Sequence, residues 1–172
     1  PPGDRCLVSP RRMGLNEKGK GAFHVPTRIS IPESGQDKVF REALKYFRGL
    51  LRIDTTNPPG NEKKACDYIG KILSKEKIPF EILESAPGRA NLIGRLKGNG
   101  SRDPLLLNAH LDVVHAEKEH WSHDPFGGEV DRGCVWGRGA LDMKNMAAMS
   151  LMCLILLHRS GKPLKRDLIF SA

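Results

Sequence analysis

Two short stretches hold residue types that could bind a metal ion or handle a proton. Asn108-Ala109-His110-Leu111-Asp112 directly follows the apolar run Leu105-Leu106-Leu107. In an extended segment His110 and Asp112 point the same way, because side chains alternate with period two. One imidazole nitrogen could then ligate a divalent cation while Asp112 orients or polarises the ring. The second stretch, Gly137-Arg138-Gly139-Ala140-Leu141-Asp142-Met143-Lys144, sets a carboxylate on a glycine-rich bend before an apolar run. Asp142 has two readings there. It is a helix N-cap, or a carboxylate whose roughly four lone-pair sites serve two cations. A lone His-x-Asp is most often a structural or surface pair. The two stretches lie about thirty residues apart, joined by a Trp-, Pro- and Gly-rich loop, and that combination favours metal chemistry over capping.

The elements that must position these residues read as α/β. Val39, Phe40, Ala43, Leu44, Phe47, Leu50 and Leu51 recur at helical spacing, predicting an amphipathic helix over 36–53 with Ser34 as its cap and Asp37 in its first turn. Thr55-Thr56-Asn57-Pro58-Pro59-Gly60 breaks it, since proline removes donors and fixes φ. A second helix over 61–77 turns Ala65, Cys66, Ile69, Ile72 and Leu73 inward, and Pro79 ends the segment. Phe80 to Leu83 and Asn91 to Leu96 are strand candidates around a Pro87-Gly88 turn. Leu105-Leu106-Leu107 is apolar without alternation, as expected of a strand covered on both faces. Glu129-Val130 and Cys134-Val135-Trp136 flank a hairpin turn, a helix runs from Met143 to His158, and a strand begins near Asp167. In open α/β sheets ligands gather at the carboxyl ends of strands, where His110 falls.

Composition narrows the function classes. Of 172 residues 39% are hydrophobic and 28% charged, which is ordinary globular usage and argues against wholesale disorder. The longest apolar stretch, Met146 to Leu157, has 12 residues and includes Ser150, short of the roughly 18 that a membrane span needs. The net charge of +8 raises nucleic-acid binding, but half of the excess sits in residues 1–31, a basic Gly/Pro-rich head expected to be disordered. No aromatic residues interleave with the basic ones as a stacking platform requires, so neither nucleic acid nor membrane is an expected partner. No apolar run follows the arginines of the head, so a secretion signal is not expected. Cys6, Cys66, Cys134 and Cys153 are far apart and read as free thiols, with Cys134 and Cys153 as small buried residues; a cytoplasmic location follows. His120 and His123 read as surface or packing groups, and Met143, Met146, Met149 and Met152 as core filling. Arg138 pairs with an acid near the site or steadies the glycine bend.

Taken together, Asn108-Ala109-His110-Leu111-Asp112-Val113-Val114, then Trp121-Ser122-His123-Asp124-Pro125-Phe126-Gly127-Gly128, then Gly137 to Lys144 resemble the co-catalytic zinc hydrolases of metallopeptidase family twenty. That family groups acetylornithine deacetylase, succinyl-diaminopimelate desuccinylase, aminoacylases and carboxypeptidases. The segment Asp54 to Gly60 is also similar to the family's opening, whereas Asn145 and His115 depart from its usual Gly and Pro.

The resemblance implies a mixed-sheet, phosphorylase/hydrolase-like zinc-peptidase catalytic domain, with residues 32–172 as its N-terminal portion and the dimerisation domain absent. It makes His110 a ligand of one zinc and Asp142 the carboxylate bridging two, with a cis peptide between Asp142 and Met143. Asp112 matches the acid that tunes the histidine or the general base. Zinc is the implied cofactor, two ions per complete site, with cobalt as a substitute. The implied reaction is hydrolysis of an amide bond in a peptide or N-acyl amino acid, by a full-length homodimer. The general base and further ligands are expected beyond Ala172, so the chain is expected to be a truncated, inactive fragment. The alternative expectation is a non-catalytic metal-binding or interaction protein built on the same fold.

Overall fold

The computed structural model describes residues 38–172. The basic head 1–31, the Ser34 cap and Asp37 lie outside the described residues. Helix α1 spans Lys38–Leu51 and α2 Glu62–Glu76; strands β1, Phe80–Ala86, and β2, Arg89–Leu96, form a hairpin. Strand β3, Leu105–Asn108, leads into a long loop that carries a short 3-10 turn at Lys118–His120. A small hairpin follows, β4 at Glu129–Asp131 and β5 at Cys134–Trp136, then α3 at Lys144–Ser160 and β6 at Leu168–Ser171.

The main sheet has the order β1-β2-β6-β3, with β6 antiparallel to β2 and parallel to β3. Period-two alternation decides its buried face. Ala90, Leu92 and Leu96 of β2 and Leu168 and Phe170 of β6 are buried, with their neighbours more exposed. They meet Leu50 of α1, Ala65, Ile69 and Leu73 of α2, and Leu151, Leu154 and Ile155 of α3 in a single cluster. This is the α/β arrangement expected from the pattern of elements, with the mixed sheet that the resemblance implies. Among the described residues no helix is long and apolar enough to cross a membrane.

Three expectations need correction. Strand β3 lies at an edge of the sheet, paired only with β6 among the described residues, so Leu105 and Leu106 are exposed rather than covered on both faces. Of the methionine series, Met152 is buried while Met146 and Met149 are exposed. A step of three residues turns about 300° on a helix, so the series winds off the buried face. Cys153 is exposed on the same helix and Cys134 half-buried; Cys153 and the buried Cys66 are free thiols.

The three helices are clamped at one point on their rim. Arg159 of α3 donates to Glu42 of α1 (2.7 and 2.8 Å) and to Glu76 of α2 (2.6 and 2.9 Å). The Arg159 guanidinium, opposed by partial burial and helped by the Tyr46 hydroxyl, holds the Glu42 carboxyl down at about 2. A carboxyl lowered on folding contributes stability that is present above its ordinary value of 4.5 and is lost as pH falls toward 2. Glu42→Gln is therefore expected to remove part of the acid sensitivity in that window. Solvent screens the network, so its worth is about 1 kcal/mol. Urea midpoints taken across the window check this: wild type and variant should converge at the acid end and differ above it.

Candidate metal and catalytic site

The segment after β3 continues the period-two pattern beyond the strand. Ala109, Leu111 and Val113 are buried, which leaves His110 and Asp112 on the outward side. Backbone bonds hold this geometry. Ala109 N donates to Ser171 O (3.0 Å), Val113 N to Thr55 O (3.1 Å) and Asn57 N to Val113 O (2.9 Å). The buried Thr55 hydroxyl donates to Leu111 O at 2.6 Å. The Thr55–Asn57 segment thus runs alongside the histidine loop, joined to it by a single parallel bridge between Thr56 and Val113. His110 stands at the carboxyl ends of the parallel pair β3 and β6, where α/β sheets place ligands.

Asp142 arrives from the other side. The turn from Gly137 is pinned by Arg138 N to Pro125 O (2.7 Å) and Lys144 N to Gly139 O (2.9 Å). Gly139 has φ +83, and a Cβ there would come within 2.8 Å of Val113 Cγ1 and 3.3 Å of the Lys144 stem. Gly139→Ala therefore forces both a left-handed backbone and a clash between the two loops that carry the site. An expected loss of about 1–3 kcal/mol follows, measurable by urea unfolding.

The peptide Asp142–Met143 is cis. Met143 occupies the N-cap position of α3 and makes no side-chain capping bond, so Asp142 is not the cap that an aspartate before a helix suggests. Its side chain is 88% exposed and turns to His110 instead: Nε2 of His110 lies 3.0 Å from Asp142 Oδ1. On the other side of the ring, Nδ1 lies 3.1 Å from Asp112 Oδ1 and 3.0 Å from the Asp112 carbonyl. All three residues singled out from the sequence, His110, Asp112 and Asp142, therefore meet. Partial burial pulls the imidazole down, but the Asp142 and Asp112 contacts outweigh it and hold His110 above its ordinary value. The Asn57 amide, ahead of the opposing burial and the attraction of His110, keeps Asp112 below the usual carboxylate range.

This donor set fits a metal ion in part. Imidazole and carboxylate are both zinc ligands, and an Nδ1 tied to a carboxylate leaves Nε2 as the coordinating atom. The 3.0 Å between His110 Nε2 and Asp142 Oδ1 is close to the roughly 3.4 Å that separates two donors of one tetrahedral zinc. Among the described residues no group of three or more His, Cys, Asp or Glu could hold an ion by itself. A cleft of about 460 Å³ opens beside the pair, lined by Glu62, Arg89, Asn108, His110, Asp112 and Ala172.

Other candidates settle elsewhere. Arg138 donates to His115 O (3.1 Å) and lies 5.1 Å from the Trp121 ring centre, which ties the long loop to the glycine bend. His123 packs on Trp136 with ring centres 4.3 Å apart and Nδ1 3.0 Å from Glu129. Two residues with evident roles in the arrangement were not singled out from the sequence. Lys144 is fully buried and donates to Leu50 O (3.1 Å) and Ile53 O (2.8 Å) at the end of α1. A lysine at the start of a helix opposes the macrodipole, which was a usable sign that something else holds it there. Asn57 contacts Asp112; it lies in the Asp54 to Gly60 segment that resembles the family's opening, but no local pattern pairs it with Asp112.

The α/β sheet thus brings an imidazole and two carboxylates together at its strand ends. Residues 106–172 match the model of Peptidase family M20/M25/M40, and the chain belongs to that family. Over 135 residues it is 33% identical to N-formyl-4-amino-5-aminomethyl-2-methylpyrimidine deformylase of Bacillus subtilis, covering 76% of this chain and 32% of the relative. It is 35% identical over 128 residues to aminoacylase-1 of Sus scrofa, covering 73% and 31%. The chain thus spans about a third of the length of the curated relatives it matches. Two solved structures share the fold. The M20 family metallo-carboxypeptidase Sso-CP2 of Sulfolobus solfataricus matches at TM-score 0.61 and 18% identity, over 76% of this chain and 30% of that one. The YXEP protein of Bacillus subtilis, described as a dinuclear metal binding peptidase from the M20 family, matches at 0.53 and 20%, over 77% and 35%.

Proposed function

We propose that the complete protein hydrolyses an amide bond in a peptide or N-acyl amino acid at a two-zinc site. The chain contributes His110 to one ion and Asp142 as the carboxylate shared by both. The observation that carries this reading is the 3.0 Å approach of Asp142 to Nε2 of His110, with Asp112 behind the ring at Nδ1. Zinc pairs of this kind lower the pKa of a bound water and polarise the scissile carbonyl. The protein's own part is positional. Ala109, Leu111 and Val113 anchor the histidine loop, Asp112 directs Nε2 outward, and the bend before α3 delivers Asp142.

The general base and the remaining ligands belong to residues outside these 172, as does the homodimer-forming domain, so this chain alone is expected to be inactive or nearly so. Residues 32–172 are then the N-terminal portion of the catalytic domain, and cobalt is expected to replace zinc. Free thiols at Cys66 and Cys153 suit a reducing, cytoplasmic setting.

The test is to assay the complete protein with zinc or cobalt against dipeptides and N-acyl amino acids, before and after chelation. Turnover that a chelator removes and zinc restores supports the reading. Turnover indifferent to chelation, or none on either substrate class, rejects it in favour of a non-catalytic metal-binding or interaction protein.

A further inference from the structure

We infer that Asn57 is a positioning residue that sets the Asp112 carboxylate, and through it the direction in which His110 presents Nε2. The inference rests on the reading of His110 and Asp142 as metal ligands. Asn57 lies in the loop between α1 and α2, far from the histidine loop in sequence but bound to it in space. Its backbone N–H is fixed by Val113 O at 2.9 Å, and its side-chain Nδ2 donates to Asp112 Oδ2 at 3.0 Å. Asp112 Oδ1 is then left to His110 Nδ1 at 3.1 Å. On its other side Asn57 Oδ1 accepts from Arg89 Nη1 at 3.4 Å, and Arg89 Nε pairs with the buried Glu62 at 2.7 Å.

The chain of contacts therefore runs Glu62, Arg89, Asn57, Asp112, His110, Asp142. The middle position is chemically demanding. Arg89 can only donate and the ionised Asp112 can only accept, so the group between them must do both at opposite ends. A primary amide does this and fixes its own orientation in doing so. Leucine fills the space without either bond, and aspartate keeps the acceptor while turning a carboxylate against Asp112. A direct partner of a metal-binding histidine, as Asp112 is, changes metal affinity about 10–100-fold when removed, and Asn57, one step further back, should reach the lower end of that range, about 10-fold.

The test uses the complete protein with Asn57→Leu and Asn57→Asp, alongside His110→Ala and Asp142→Ala. Binding is read with cobalt(II), and ring geometry from imidazole ¹⁵N shifts in the metal-free protein. The expected result is cobalt binding that requires His110 and Asp142 and that weakens about 10-fold in the Asn57 variants, most in Asn57→Asp. The His110 ring signals should move while those of His123 and His158 stay, at unchanged thermal midpoint. If either variant loses its fold, the other serves, because both keep the backbone bond to Val113. Binding that needs His110 and Asp142 but ignores both Asn57 variants overturns the inference and leaves the metal reading intact. If no binding depends on His110 and Asp142, the metal reading fails in this chain. The ¹⁵N shifts then decide alone: displaced His110 signals uphold the positioning role and unmoved ones overturn it.

Discussion

Asp142→Ala in the complete protein is expected to abolish zinc-dependent amide hydrolysis, with His110→Ala close behind. The loss should reach at least about a thousandfold in kcat/KM, on the order of 4 kcal/mol of transition-state stabilisation. The size follows from the geometry. Asp142 makes no capping bond to α3 and its carboxylate is open to solvent apart from His110, so its removal costs the fold little and the site everything. Asp142→Asn sharpens the test, because it keeps the shape and deletes the charge that two cations would share. Asp112→Ala should fall less, about 10–100-fold, as befits a residue that acts through the His110 ring. Steady-state kinetics on metal-loaded protein, with bound zinc counted for each variant, measures all of this. Normal turnover in Asp142→Ala would sink the assignment.

The second large effect concerns stability. Lys144 is fully buried, and its ammonium donates to the carbonyls of Leu50 and Ile53 where α1 ends. Burial pulls it down to about 8, against an opposing pull from Asp54. Leu50 O also accepts from Ile53 N, so the carbonyl that loses most is that of Ile53. Lys144→Ala removes this donor and opens a cavity beside Gly139, and about 3–5 kcal/mol should be lost. Lys144→Met refills the volume without restoring the donor, so it should recover the packing part alone. Urea denaturation of the pair separates the two contributions.

The helices and most strands were legible because their residues repeat at the period of the structure they form. The 3.6-residue spacing from Val39 to Leu51 and the period-two burial of β2 needed no tertiary information. The site was legible where local pattern coincided with the motifs: His110 and Asp112 two apart in an extended segment, Asp142 on a glycine bend. What escaped depends on neighbours in space. The apolar Leu105-Leu106-Leu107 run reads the same whether a strand lies inside a sheet or at its edge. The methionine series matched a helical step over one turn and drifted over four residues. Asn57 and Lys144 act on partners 55 and 94 or 91 positions away, and no window of sequence brings those pairs together.

The place of β6 has a consequence for how the protein comes to be assembled. It inserts between β2 and β3, so until it forms, the β1–β2 hairpin and β3 share no backbone ladder. Its parallel pairing with β3 closes a loop of about 60 residues, a slow, entropically costly event compared with zipping a hairpin. Both proposed ligands lie inside that loop. During synthesis His110 and Asp142 leave the ribosome well before Leu168–Ser171, and Ala109 waits on Ser171 for its backbone partner. The pair should therefore stay unmade in a nascent chain and appear in one step, late, when four residues slide into the middle of the sheet.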